Sequence, residues 1–274
     1  MPELPEVETI KRELEPLITG QKIKECVVLR KDVIAFPSFQ NFRRSLLNNK
    51  ITNVKRIAKY LIIELDPDRS LIFHLRLSGA LIVRPLNTGF ERFTRLALKL
   101  DKCWLLFVEP RVLGRVYLLN SNDKPACLKG FYRLSPEPLS RAFSKRYFQN
   151  QIKKRKAIIK AILLNQDICA GVGNIYSDEA LFRAGIRPTR RANNLTYDEI
   201  EKLRIALRSV LRDGIKHLGT SVSDYRRTDG KKGNFQKMLF AYGREGEPCR
   251  RCGSEIQLKK IGNRGTRYCP RCQK

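Results

Sequence analysis

No apolar run in this 274-residue chain approaches the ~18 residues that a membrane-spanning helix needs, and the first apolar positions alternate with Glu, Lys and Arg. Neither a transmembrane segment nor a secretory leader is therefore expected. The eight cysteines are expected in the reducing cytoplasm, where thiols bind metal or lie buried more often than they form disulfides. Internal repeats and low-complexity tracts are also lacking. Acid is scarce: 27 Asp plus Glu stand against 55 Lys plus Arg, a formal net charge of +28. An excess of that size favours a polyanion partner. Membrane adsorption fits less well, because the cations are spread along the whole chain instead of one amphipathic helix.

What is present is enough for a proper core, since 42% of residues are hydrophobic, and the length allows one large or two modest domains. Val7, Ile10, Leu14, Leu17 and Ile18 recur at helical spacing, which predicts a helix over Glu3 to Ile18 stopped by Gly20. Pro2 and Pro5 are tolerable there because a first turn has no internal partner for its amides. From Gln21 to about Asn120 the pattern becomes strand-like. Leu71, Phe73, Leu75 and Leu77 alternate with Ile72, His74, Arg76 and Ser78, and Leu96, Leu98 and Leu100 lead through an Asp101-Lys102 turn into the run Cys103 to Val108. One helix followed by many short strands predicts a two-sheet sandwich. Helices are expected from Gln151 onward, one of them from Thr196 to His217 with Thr196 and Glu199 as a capping box. The expected layout is α+β and multidomain: a β-rich domain over 1–130, a linker over 131–150, a helical domain over 151–235 and a cysteine-bearing knuckle over 236–274.

Three motifs carry chemistry. Cys249-x2-Cys252 and Cys269-x2-Cys272, sixteen residues apart, have the spacing of a zinc ribbon. Four protein thiolates leave no open position for water, so one structural Zn2+ is expected. Arg250, Arg251, Lys259, Lys260, Arg264 and Arg267 around it suggest a phosphate-facing surface. Cys26, Cys103, Cys127 and Cys169 have no such spacing and read as buried or incidental. "GVGN", Gly171 to Asn174, offers Asn174 as the N-cap of a helix whose free amides suit a phosphate, close to the basic run Lys153-Lys154-Arg155-Lys156. Finally, the opening "MPELPE" would present a secondary amine at a helix mouth once Met1 is removed. An α-amino group titrates near 8, so some neutral amine exists near pH 7, and such amines form Schiff bases with sugar or carbonyl carbons. A secondary amine gives an iminium with no N–H to lose. Glu3 and Glu6, on one helical face, can move protons beside it or act as ordinary N-capping carboxylates.

Taken together, "MPELPEVETIKREL", "AKYLII" around Lys59, "HLRLSG" from His74, "GVGNIYSDEALFRAGIRP", "YGREGEPCRRCG" from Tyr242 and the last Cys-x-x-Cys resemble, in order and over the full length, the formamidopyrimidine-DNA glycosylases, a family that includes endonuclease VIII. Leu4 points to the formamidopyrimidine branch. The resemblance implies a β-sandwich, a helix–two-turn–helix domain and a zinc finger on bent, damaged double-stranded DNA, with an oxidised purine such as 8-oxoguanine flipped into a pocket. It implies Pro2 as the nucleophile at the sugar C1′, Glu3 as general acid/base supported by Glu6, and β- then δ-elimination. Lys59, Asn174 and Arg264 would clamp phosphates, His74, Arg111 and Lys154 would lie at the DNA, and Ser221 to Phe235 would sense the base with Tyr242 nearby. A monomer associated with the nucleoid is expected.

The sequence also departs from the family. A Met usually follows "HLx", and the last Arg and the Phe of Asp-Pro-Arg-Arg-Phe-Gly join it in filling the void left by the flipped base. Here those positions are Leu77, Val112 and Leu113, within Glu109-Pro110-Arg111-Val112-Leu113-Gly114. A paralogue that holds bent DNA without cutting it is one rival. A zinc-ribbon RNA-binding or ribosome-associated protein is another, but neither has use for a nucleophilic N-terminus.

Overall fold

The computed structural model describes residues 2–222 and 225–274; Met1, Ser223 and Asp224, the last two inside the expected base-sensing loop, lie outside the described residues. Two compact units form, one from residues 1–132 with 217–234, the other from residues 133–216 with 235–274. The boundaries expected from sequence differ from this division. The first unit takes back 217–234, a return that no local pattern signals, and 131–150 already contains helix, capped by a serine.

The first unit opens with α1 (Leu4–Ile18), whose Val7, Ile10, Leu14 and Ile18 are fully buried at helical spacing. There follow β1 (Ile23–Val28), β2 (Ile34–Phe36), α2 (Phe39–Leu46), β3 (Lys50–Ile57), β4 (Tyr60–Asp66), β5 (Arg69–His74), β6 (Ala80–Pro85), β7 (Thr94–Leu100), β8 (Cys103–Val108), β9 (Arg115–Asn120) and the single turn α3 (Lys129–Tyr132). They make two sheets, ordered β1-β7-β8-β6 and β2-β9-β5-β4-β3, with β2–β9 the one parallel pairing among the described residues. Inward side chains of both sheets, among them Leu61, Phe73, Leu98 and Phe107, join the apolar face of α1 in one core. The Asp101-Lys102 turn links β7 to β8 as expected. β5, however, stops at His74 although the alternation continues to Ser78. Arg76 has φ 55°, and the Gly79 amide bonds the Leu75 carbonyl at 3.0 Å, so the chain turns instead of extending.

The second unit holds α4 (Lys145–Lys153), α5 (Ile159–Leu164), α6 (Asn174–Ala184), α7 (Tyr197–Lys216) and the hairpin β10 (Gln257–Ile261) with β11 (Arg264–Tyr268). Ser144 caps α4 by accepting the Tyr147 amide at 3.1 Å. Thr196 and Glu199 close the expected capping box, with the Thr196 amide on Glu199 at 2.7 Å and the Glu199 amide on Thr196 at 3.2 Å. Among the described residues no helix is long and apolar enough to cross a membrane.

Candidate functional site

In the first unit Pro2, Glu3 and Glu6 are buried together at the start of α1. Glu3 is the N-cap, and Glu6, at the third helical position, accepts the Glu3 amide at 2.8 Å in a capping box. The other Glu6 oxygen accepts the Thr220 amide at 2.8 Å, a contact 214 residues away in sequence. Glu6 thus fixes both the helix mouth and the start of the 217–234 segment. Gly219 makes that approach possible: its φ is +81°, and a Cβ there would lie 2.9 Å from both Glu6 Cγ and Tyr225 Cε1. Tyr225, buried beneath, donates to the Leu218 carbonyl at 3.3 Å. Burial first, then the negative charges of Glu6 and Glu13, pushes its phenol well above the usual range, so it stays a donor. Farther along, Glu13 receives Arg227 at 2.6 Å and the Thr228 amide at 3.1 Å. Helix α1 is therefore the frame that positions the expected base-sensing loop.

Lys59 sits in the two-residue turn between β3 and β4, where Ala58 has φ 52°. Arg56 ties that turn to α1, donating to the Ala58 carbonyl at 3.0 Å and to Glu8 at 2.9 Å. Burial raises the Glu8 pKa, but its bonds to Arg56 and Arg12 outweigh that, and it ends below the ordinary carboxylate value. His74, at the end of β5, packs edge-on against Tyr60 with ring centres 4.5 Å apart, and its Nδ1 accepts the Arg76 amide at 3.2 Å. Burial, helped by the Arg76 and Lys59 cations, lowers its pKa to about 3. It is a neutral imidazole at physiological pH. Leu77 is half-buried on the turn after β5, while Arg111 and Leu113 are exposed on the loop after β8 and Val112 packs against the sandwich core. A cavity of about 610 Å³ in the same unit is lined by Ser78, Phe93, Pro110, Tyr225, Arg226 and Lys232 among others.

In the second unit the cap of α6 is Gly173, not Asn174 as expected. Asn174 is the first helical residue, and its Nδ2 donates to the Gly265 carbonyl at 2.9 Å, joining the helix start to the β10–β11 hairpin. Arg264, at the tip of that hairpin, is exposed. α4 ends at Lys153, so the basic run lies mostly beyond it. Lys153 is spent on the Asn193 and Leu195 carbonyls, leaving Lys154 and Lys156 exposed. Of the cations around the knuckle, Arg267 pairs with Glu245 at 2.8 Å and covers the Tyr242 ring at 4.9 Å, and Arg251 lies over Phe182 at 4.6 Å. Arg267 is half-buried by these contacts, whereas Arg251, Lys259, Lys260 and Arg264 are exposed.

The Sγ atoms of Cys249, Cys252, Cys269 and Cys272 all lie within 4.8 Å of one another, with Cys252–Cys269 at 3.4 Å and Cys249–Cys272 at 3.9 Å. A tetrahedron with metal–sulfur bonds of about 2.3 Å has edges of about 3.8 Å, so the four thiolates can hold one metal ion. The other four cysteines are scattered: Cys26, Cys103 and Cys169 are buried and Cys127 is exposed.

Sequence reasoning missed several buried groups. Glu179 accepts the Phe240, Ala241 and Tyr242 amides at 2.8–3.2 Å, pinning the entry to the knuckle. Lys160 and Asp178, both fully buried, pair at 2.5 Å, and Asp178 also accepts the Arg267 amide of β11 at 3.0 Å. Glu109 holds the loop after β8. The one available signal was their type: charged residues beside apolar stretches, the lysine as well as the three acids.

The described chain thus combines a helix-led β-sandwich with buried acids at the helix mouth, a helical unit and a four-cysteine finger. Known proteins place it more closely. Family models match for the formamidopyrimidine-DNA glycosylase N-terminal domain over residues 1–116, for its H2TH domain over 134–226, and for the zinc finger found in FPG and IleRS over 246–274. The formamidopyrimidine-DNA glycosylase of Pelotomaculum thermopropionicum is 42% identical, covering 100% of this chain and 99% of that one. That of Heliobacterium modesticaldum is 44% identical with 100% of both covered. Among solved structures, a Lactococcus lactis FPG mutant in complex with a Fapy-dG containing DNA superposes with a TM-score of 0.92 at 36% identity, covering 100% of both chains. MutM (FPG) from Thermus thermophilus gives 0.90 at 38% identity, covering 99% of this chain and 98% of that one. The chain belongs to the formamidopyrimidine-DNA glycosylase family.

Proposed function

We propose that the chain is a bifunctional DNA glycosylase and AP lyase that removes oxidised purines, 8-oxoguanine and formamidopyrimidines, from duplex DNA. The observation that carries this is the Pro2–Glu3–Glu6 group, buried at the mouth of α1 and tied to the 217–234 segment through Thr220. With Met1 removed, the Pro2 nitrogen attacks the sugar C1′. The N-glycosidic electron pair leaves with the base, and the ring opens to an iminium. Glu3 moves the protons at the sugar. The iminium then takes up the electron pair of the C2′–H bond, expelling the 3′ phosphate, and a second elimination expels the 5′ phosphate, leaving a one-nucleotide gap. Glu6 orients the helix mouth instead of reacting.

Lys59, Asn174 and Arg264 are assigned to phosphates flanking the lesion, with His74, Arg111, Lys154 and Tyr242 as further DNA contacts and Leu77 and Leu113 as wedges. The cavity beside Ser78, Tyr225 and Lys232 is assigned to the flipped base. The four-cysteine site is assigned to one structural Zn2+, which would hold the hairpin that presents Arg264 and take no part in the chemistry. The site of action is the cytoplasmic nucleoid, as a monomer. The test is a single-turnover assay on duplexes carrying 8-oxoguanine or a formamidopyrimidine. Release of the base with a gapped product is expected; binding without cleavage would make the chain a damaged-DNA binder.

A further inference from the structure

The carboxylate of Glu109 is wholly buried, yet it serves neither the nucleophile nor the metal site. Its Oε1 accepts the Ser78 hydroxyl and the Arg111 amide, the latter at 3.0 Å, and its Oε2 accepts the Gly114 amide at 3.0 Å. These partners belong to two separate turns. Ser78 follows Leu77 on the turn after β5, and Arg111 and Gly114 bracket Val112 and Leu113 on the loop after β8. The surroundings are shaped for that carboxylate. A Cβ on Gly114 would lie 2.8 Å from Glu109 Oε2 and 2.6 Å from Phe107 Cζ, so only glycine admits it. Arg95 holds the same segment from outside, donating to the Glu109 carbonyl at 2.8 Å and to the Pro110 carbonyl at 3.3 Å. The loop it fixes is strained, with Val112 at φ 56° and Leu113 42% exposed. A β-branched residue with positive φ persists only where its surroundings over-determine it.

We propose that Glu109 is a positioning residue for base extrusion: one buried carboxylate locks the Leu77 turn and the Val112–Leu113 loop into a single rigid wedge. The proposal rests on the wedge role assigned above to Leu77 and Leu113. Neither side chain can unstack a base step by volume alone if its backbone yields. The need for rigidity belongs to the glycosylase half of the reaction, where an intact base must be pushed from the stack. A preformed abasic site has no base to evict, so its cleavage needs the lock far less.

The test is Glu109→Gln, which keeps shape and volume but turns an NH2 toward one of the bound amides. Loss of one charge-assisted tether should slow single-turnover release of 8-oxoguanine about tenfold. Strand cleavage at a preformed abasic site should change by less than about twofold on the same scale. Glu109→Asp, which retains both acceptors, should recover most of the rate. Arg95→Met removes the bonds to the Glu109 and Pro110 carbonyls without touching the carboxylate and should show a smaller loss of the same selectivity, which preserves the test if the glutamine variant fails to fold. Equal loss on both substrates, or no loss on either, would overturn the proposal. Leu113→Ala separates it from the wedge assignment: if that variant extrudes normally, the assignment fails, and if it is slow while Glu109→Gln matches wild type, only the positioning role fails.

Discussion

Replacing Lys160 by methionine probes the joint between α6 and the β10–β11 hairpin. The Lys160 ammonium donates to the Asn174 carbonyl at 3.0 Å, to Ser177 Oγ at 2.7 Å and to Asp178 Oδ1 at 2.5 Å, with both charged side chains fully buried. Methionine fills the stem but leaves Asp178 in the interior with the Arg267 amide as its remaining bond of those named. Removing one partner of a buried pair costs about 3–5 kcal/mol, because the survivor is an uncompensated charge. The pH dependence gives the mechanism away. Burial raises the Asp178 pKa, against the pull of Lys160 and the Arg267 amide, to about 6, and losing the ammonium raises it further. Its ordinary value is 3.8, so above that the folded chain binds more protons than the unfolded one, and acidification favours folding at this site. The destabilisation measured by urea unfolding should be full at pH 8 and clearly smaller at pH 5.5. Adding Asp178→Asn, which removes the charge but keeps an acceptor for Arg267, should return about half of it. A loss below about 1 kcal/mol at pH 8, or one independent of pH, would show that Lys160 does not compensate a buried Asp178 charge.

Arg264→Ala, with metal content unchanged, should weaken DNA binding for every sequence and lower the salt slope by about one, as loss of a single phosphate contact does; an unchanged slope removes Arg264 from the phosphates. Val112 has no donor for the base opposite the lesion, so wild-type excision should vary little among C, A, G and T partners. Val112→Arg should add about 1–3 kcal/mol of preference for cytosine, and strong cytosine selectivity in wild type would show that another residue reads that base. His74 is neutral in the fold with its pKa near 3 against an ordinary 6.5, so its contribution is complete above pH 6.5 and lost as pH falls toward 3. Relative to His74→Gln, wild type should lose about 2 kcal/mol between pH 7.5 and pH 5, and parallel curves would count against a buried neutral imidazole.

Local patterns carried a large part of this fold. The buried stripe of α1, the β7–β8 hairpin, the Thr196–Glu199 box and the paired Cys-x-x-Cys turns are each written within about twenty residues, where periodicity and spacing speak directly. The features that escaped depend on contacts across the chain. That 217–234 returns to the first unit is fixed by bonds such as Thr220 to Glu6, between residues 214 apart. β5 ends at His74 because the chain turns at Arg76, with φ 55°, and Ser78 bonds Glu109 from another loop, which no alternation reports. Asn174 resembles an N-cap by type, but the hairpin carbonyl of Gly265 takes its amide and leaves the cap to Gly173. The proposed nucleophile and its carboxylate were legible only as a motif, since two acids near a proline also describe an ordinary helix start, and here Glu6 performs that ordinary task.

Borohydride trapping on a duplex with one abasic site tests whether a free Pro2 amine is the nucleophile. Mature chain beginning at Pro2 should form a stable covalent adduct, located by mass spectrometry on residue 2, because borohydride reduces the iminium to an amine. Pro2→Gly should trap poorly, and chain retaining Met1, whose Pro2 nitrogen is an amide, should not trap at Pro2 while still binding DNA. Full trapping by the Met1-retaining chain, or an adduct mapped to any lysine in place of Pro2, would show that the Pro2 amine is not the nucleophile.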